Sequence, residues 1–175
     1  RGQALNEAGE VITQATKGMK ITITAKDRSS DGRSFLRWEV VYGGELSMLE
    51  DAESETTTFV MPEDSVGLRP IYCSTIHFDP NGGSGTQKDE GVKVQEFQAY
   101  YYPECTFTPP SANQEFDYWE NVETKTRGVP GNPTYLQKHV TFKAIWKEKD
   151  SYAASIAPID FGTVNVGYGT ITKPV

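Results

Sequence analysis

One short motif occurs twice in this chain: Phe35-Leu36-Arg37-Trp38-Glu39 and Phe116-Asp117-Tyr118-Trp119-Glu120 share a Phe-x-x-Trp-Glu core. Each copy is followed some thirty residues on by a β-rich run that ends in an aromatic residue, at Tyr72 and at Trp146. A duplicated aromatic core without a duplicated reactive residue describes modules made to be strung together, and it points away from catalysis. Two units of about 75 residues fit the 175-residue chain. Units of that size bury only about 60% of their unfolded surface, so a few large aromatics must supply much of each core.

The composition narrows the classes of partner. Lys and Arg number 17 against 24 Asp and Glu, a net charge of −7, which on average repels a phosphate backbone or an anionic membrane surface. Nucleic-acid binding is therefore not expected. No apolar run approaches the ~18 residues of a membrane span, so no membrane insertion is expected of this stretch. The chain opens at Arg1 without a Met and shows no signal segment, as an excised fragment would.

Strand and turn signals follow one another along the sequence. Lys20 to Lys26 alternates apolar and β-branched polar residues, which places Ile21 and Ile23 inside. Asp27 to Arg33 carries turn chemistry, Phe35 to Tyr42 reads as the returning strand, and Leu46 to Leu49 holds at most a helical turn. Thr56 to Met61 and Ser65 to Tyr72 complete a first unit. Thr75 to Phe78 opens the second with no Gly/Ser linker between them, and Asp79-Pro80-Asn81-Gly82-Gly83-Ser84-Gly85 is a dense turn signal. A strand is expected within Val92 to Tyr102, another at Phe116 to Val122, a loop at Gly128 to Pro133, and a last strand at Val140 to Trp146. The divisions are 1–73, 74–149 and 150–175, the last too short to fold alone.

Residues 75–147 resemble the Listeria-Bacteroides repeat family, related to the B repeat of internalin B. The likeness rests on Phe78-Asp79-Pro80-Asn81-Gly82-Gly83, Cys105-Thr106-Phe107-Thr108-Pro109, Phe116-Asp117-Tyr118-Trp119 and Phe142-Lys143-Ala144-Ile145-Trp146. Residues 18–72 resemble a divergent sister repeat, through a Thr-rich strand at Ile21 to Ala25, the Phe35 to Glu39 strand and the Thr57 to Pro62 segment. Pro158 to Val164 with Gly167-Tyr168 is similar to the opening of an immunoglobulin-like domain. The resemblance implies a mainly β, small α+β chain of two tandem β-grasp-like repeat domains in a secreted or wall-attached bacterial surface protein. Its place would be extracellular, at the cell surface or cell wall, and its partners the neighbouring domains of the same polypeptide. Two departures stand out: the first unit lacks the family's opening strand before Gly2, and the second carries Tyr100-Tyr101-Tyr102 where the pattern has a plainer strand.

Several residues invite a functional reading beside a plainer one. Trp38 and Trp119 offer faces on which a sugar ring stacks, yet their repetition and bulk assign them to the core, with Phe35, Phe59, Phe78, Phe116, Phe142 and Trp146. Phe and Trp three apart point to opposite faces of a straight strand, so burying both requires a bulge or a bend. Tyr100, Tyr101 and Tyr102 cannot all face inward and are the better candidates for ligand contact, with host protein or glycan as the partner.

Asp79-x-Asn81-Gly82 with Ser84 imitates the start of a calcium loop, but too few acids precede Glu90 and a hairpin turn accounts for it. The acids Glu50, Asp51, Glu53 and Glu55 read as a solvated loop. His77 and His139 lack neighbours at metal-ligand spacing, and Ser, His and Asp have no organising elbow. No catalytic residue, metal or cofactor is expected. Cys73 and Cys105 flank a strand pair that brings them within reach of each other, and a bridge would contribute on the order of 3 kcal/mol by closing a loop of about thirty residues. A core thiol is the alternative.

Two functions from different classes survive: a structural spacer made of rigid repeats, and an adhesin-type binding module.

Overall fold

The structure, a computed structural model, describes residues 2–150; the expected start of an immunoglobulin-like domain lies, from residue 151 onward, outside the described residues. The described chain is mainly β. Its strands are β1 (Gln3–Leu5), β2 (Lys20–Thr24), β3 (Ser34–Tyr42), β4 (Thr56–Val60), β5 (Gly67–Asp79), β6 (Lys93–Gln95), β7 (Ala99–Tyr101), β8 (Gln114–Asn121), β9 (Arg127–Gly128), β10 (Pro133–Tyr135) and β11 (Val140–Glu148). Single 3-10 turns at Ser29–Asp31 and Leu46–Met48 are the helical content of those residues.

β5 organises the sheet. It runs thirteen residues through the expected boundary at 73/74 without interruption. Its first half pairs antiparallel with β3, from Gly67 opposite Tyr42 to Cys73 opposite Ser34. Its second half pairs parallel with β11, Ile76 opposite Val140 and Phe78 opposite Phe142. β6 covers the other edge between Cys73 and Thr75. β11 continues the sheet to β8 and β8 to β9. Two smaller antiparallel sheets complete the fold, β1-β2-β4 and β10-β7.

The buried residues form two clusters. Ile21, Ile23, Ala25, Trp38, Leu49 and Phe59 make one. Ile76, Phe78, Val94, Tyr100, Tyr102, Phe107, Trp119, Val140, Phe142 and Ala144 make the other. The alternation in Lys20–Thr24 puts Ile21 and Ile23 inside, at 2% and 5% exposure. Phe35 packs half-buried against the first cluster, and Phe116 and Trp146 against the second.

Of the bulge or bend that the Phe-x-x-Trp spacing calls for, both units have a bulge, at the same place. On β3, Phe35 faces Tyr72 and Arg37 faces Ile71, so Leu36 is the extra residue. On β8, Phe116 faces Trp146 and Tyr118 faces Ile145, so Asp117 is the extra one. The added residue turns each Phe onto the face of its Trp. The ring centroids lie 5.8 Å apart for Phe35 and Trp38 and 4.9 Å apart for Phe116 and Trp119.

Two local expectations are corrected. The single strand placed within Val92 to Tyr102 is divided into β6 and β7 by a turn in which Phe97 adopts φ 67°, a left-handed conformation that no strand sustains. The loop expected from Gly128 to Pro133 is bounded by strand residues at both ends, because β9 pairs with β8 and β10 with β7.

Candidate functional site

The two tryptophans are closed off from ligands. Trp38 is 3% exposed and donates its indole N–H to the Ser54 carbonyl at 3.0 Å; Trp119 is 0% exposed and donates to the Pro103 carbonyl at 2.8 Å. Burying a ring of that size is worth about 5 kcal/mol before the entropy of ordering it. Both polar handles are satisfied by the protein.

The tyrosine cluster divides by strand alternation. Tyr100 and Tyr102 are buried, their rings 6.5 Å and 4.9 Å from that of Phe142, which corrects the expectation that they offer the best ligand contacts. The Tyr100 hydroxyl donates to Asp89 at 3.0 Å, and burial, reinforced by that carboxylate, pushes its pKa well up. Tyr102 lies over Gly128, where any Cβ would meet its ring at 2.2 Å. Tyr101 alone points outward, at 60% exposure. It shares the outer face of β7 and β10 with Tyr135, and Phe97 stands at the preceding turn, 83% exposed. Sequence reading missed Tyr135 and Phe97 because neither belongs to a cluster of aromatics along the chain.

Cys73 and Cys105 are both free thiols. Cys73 is fully buried in β5 between Ser34 of β3 and Gln95 of β6, while Cys105 packs against the second core beyond β7. The strand pair expected to bring them together is not one hairpin, since β6 and β7 are separate pieces in separate sheets. Burial raises the pKa of both thiols and makes them poor nucleophiles.

The Asp79 turn is built from its own hydrogen bonds. Asn81 donates its backbone N–H to Asp79 Oδ1 at 2.8 Å and its side-chain amide to the Ala144 carbonyl at 2.9 Å. Glu90 binds His77 Nδ1 with one oxygen and the Phe78 N–H with the other, each at 2.7 Å. Among the described residues no three His, Cys, Asp or Glu side chains converge to hold a metal. No helix among them is long and apolar enough to cross a membrane.

A polar seam lies where the first unit's 27–33 turn meets the second unit. Gly32, at φ 69°, accepts the His139 backbone N–H at 2.7 Å. Arg33 donates from Nε to the Gln137 carbonyl and from Nη1 to Glu96 Oε2, both at 2.7 Å, and Arg28 approaches the same carboxylate at 3.5 Å. The Arg33 and Glu96 side chains are only 12% and 15% exposed, so removing either leaves a largely desolvated charge. Arg37 reaches Gln95 at 2.8 Å, and Tyr72 donates to the Lys26 carbonyl at 2.6 Å with the Arg28 guanidinium over its ring. None of these partners is signalled by spacing, since they lie 58 to 104 residues apart for the Arg33 and Arg37 pairs.

No protein-family model, curated protein or solved structure matches the chain.

Proposed function

We propose that this chain is a non-catalytic part of a secreted or wall-attached bacterial surface protein, in which repeats of the internalin-B type act as a structural spacer. The observation that carries the reading is the sharing of β5 by both units, with the Arg33–Glu96 seam beside it. A hinge between the units would have to break a strand ladder and expose a buried ion pair at once. A spacer needs that property, and its partners are the neighbouring domains of the same polypeptide. Small-angle scattering tests it: a single rigid conformation with negligible interdomain freedom is expected, and a freely hinged ensemble would remove the reading.

A second reading, an adhesin-type module for host protein or glycan, is favoured by the outward rings of Phe97, Tyr101 and Tyr135. Binding on a glycan or host-matrix array that is lost on replacing Tyr101 and Tyr135 by Ser would establish it. An absence of binding at high concentration would leave the spacer.

A further inference from the structure

Alignment of the two units through their tryptophans exposes one difference. Trp119 on β8 faces Ala144 of β11, and Trp38 on β3 faces Pro70 of β5. Counting from those pairs, Val66, Leu68, Arg69 and Pro70 occupy the places of Val140, Phe142, Lys143 and Ala144. On β11 the edge away from β8 is covered. Ile76–Asp79 runs parallel along Val140–Lys143, and the Phe78 ring lies 4.8 Å from Trp119. Next in line, the Ala144 carbonyl takes the Asn81 amide.

On β5 the corresponding edge carries no strand among the described residues. The Tyr72 carbonyl and both backbone groups of Ile76 bond to the β6 side, so the even-numbered residues of β5 face away from β3. Leu68 N–H and C=O and the Pro70 C=O are therefore turned to this open edge. Pro70 fits the same geometry, because its facing Trp38 N–H is directed to Ala52 and the missing proline donor faces the open edge. Along that edge lies a groove of about 540 Å³ lined by Leu68, Arg69 and Pro70 of β5, by Trp38, and by Gln3 and Ala4 of β1. Among the described residues its one cation, Arg69, is engaged by Glu39 across the strand pair. The described residues thus offer mostly apolar walls and backbone hydrogen bonds, and none of them offers a free charge for an ionic ligand.

We propose that this groove is a strand acceptor. It takes an extended polypeptide segment parallel to β5, bonds it through Leu68 and Pro70, and receives one large apolar side chain over Leu68, in the place that Phe78 takes beside Phe142 in the second unit. The occupant is a strand of the Thr75–Asp79 kind belonging to an adjoining repeat, which would serve two units as β5 does. Only this source rests on the spacer reading; the strand preference rests on the register alone. A hinged particle in scattering would remove the former and leave the latter standing.

The test attaches a copy of the Thr75–Asp79 strand to the full chain ahead of residue 1 through a flexible Gly/Ser tether, which supplies a millimolar effective concentration. The expected result is a rise in the thermal midpoint of about 4 °C or more, with amide exchange at Leu68 slowed about tenfold or more. A tethered strand carrying Asp in place of Phe should give neither. Equal midpoints for the two tethers, with Leu68 exchange unchanged, would overturn the proposal. It would also be overturned if Leu68 were already protected in the untethered chain and lost that protection on dilution as a dimer dissociated, because a second copy would then be the occupant.

Discussion

The Nδ1 atom of His139 accepts the backbone N–H of Thr75 at 2.9 Å, at the point where β3 has ended and β11 has not yet begun. A strand shared by two units faces two different partners along one edge, and between them a donor would be left without a ladder acceptor. The imidazole supplies it. Accepting that bond places the ring proton on Nε2, which faces Ser34 Oγ at 3.4 Å. His139 thus ties the two halves of the sheet with its ring as well as with its backbone bond to Gly32.

Replacing His139 by Phe keeps an aromatic ring and removes the acceptor. The expected loss is about 1–2 kcal/mol, toward the lower part of the cost of an unpaired donor because Thr75 is only partly buried. Urea unfolding measures it, and amide exchange at Thr75 should accelerate. His77, whose bond to Glu90 is half-exposed, is the control: His77→Ala should cost no more than about 1 kcal/mol.

The tyrosines should separate sharply by position. Tyr100→Ala and Tyr102→Ala each empty a place in the second core and should cost about 3–5 kcal/mol, as aromatic-to-alanine changes in cores do. Tyr101→Ala, beside them in sequence, should stay within about 0.5 kcal/mol. Chemical denaturation of the three variants checks the order, and a Tyr101 effect as large as the others would contradict the alternation.

Much of this architecture is legible in the sequence because it is local. Alternation in Lys20–Thr24, turn chemistry around Asn81 and Gly82, and the Phe-x-x-Trp-Glu copies each depend on residues a few places apart. The need for a bulge or a bend follows from the spacing of Phe35 and Trp38 alone, although the choice of a bulge and its location at the residue after Phe do not. The seam is not legible. Arg33 and Glu96 are ordinary surface charges until a shared strand brings a turn of one unit onto the other. The tyrosine assignment failed for a related reason: a run of three fixes that alternation must occur but leaves open which ring faces in, and that is decided by the pairing of β7 with β10.

Stability should fall on the alkaline side. Burial raises the pKa of Cys73 and Cys105 from 9.0 and of Tyr100 from 10.0. Above those ordinary values the unfolded chain loses the protons while the folded chain keeps them. The unfolded state then binds fewer protons, and the slope of stability against pH is negative. The contribution is intact below pH 9 and is lost as pH rises toward the folded values. Urea midpoints between pH 8 and pH 11, values chosen to span about one unit on either side of these ionisations, should show the decline. Tyr100→Phe should flatten its upper part. Both thiols should also resist iodoacetamide in the native protein near neutral pH, and a rapid native reaction would contradict their burial.

Single-residue deletions give the strictest test of the repeated bulge. Asp117 is the extra residue on β8, since Phe116 and Tyr118 face Trp146 and Ile145, which are adjacent on β11. Removing Asp117 leaves Phe116 opposite Trp146 and places it two residues before Trp119, so both rings stay on the core face of a now regular strand. Deleting Glu120 acts differently. It lies in an unbroken stretch of ladder opposite Lys143, and its loss shifts every residue on one side by a single step, turning that set of side chains to the wrong face. Deletion of Asp117 should therefore cost no more than about 2 kcal/mol, within the range of ordinary single changes. Deletion of Glu120 should unfold the second unit, with loss of its near-ultraviolet circular dichroism. The same contrast is expected on β3 between deleting Leu36 and deleting Glu39, which faces Arg69 in regular register. If the bulge deletions prove as damaging as the ladder deletions, the extra residue does more than turn Phe toward Trp.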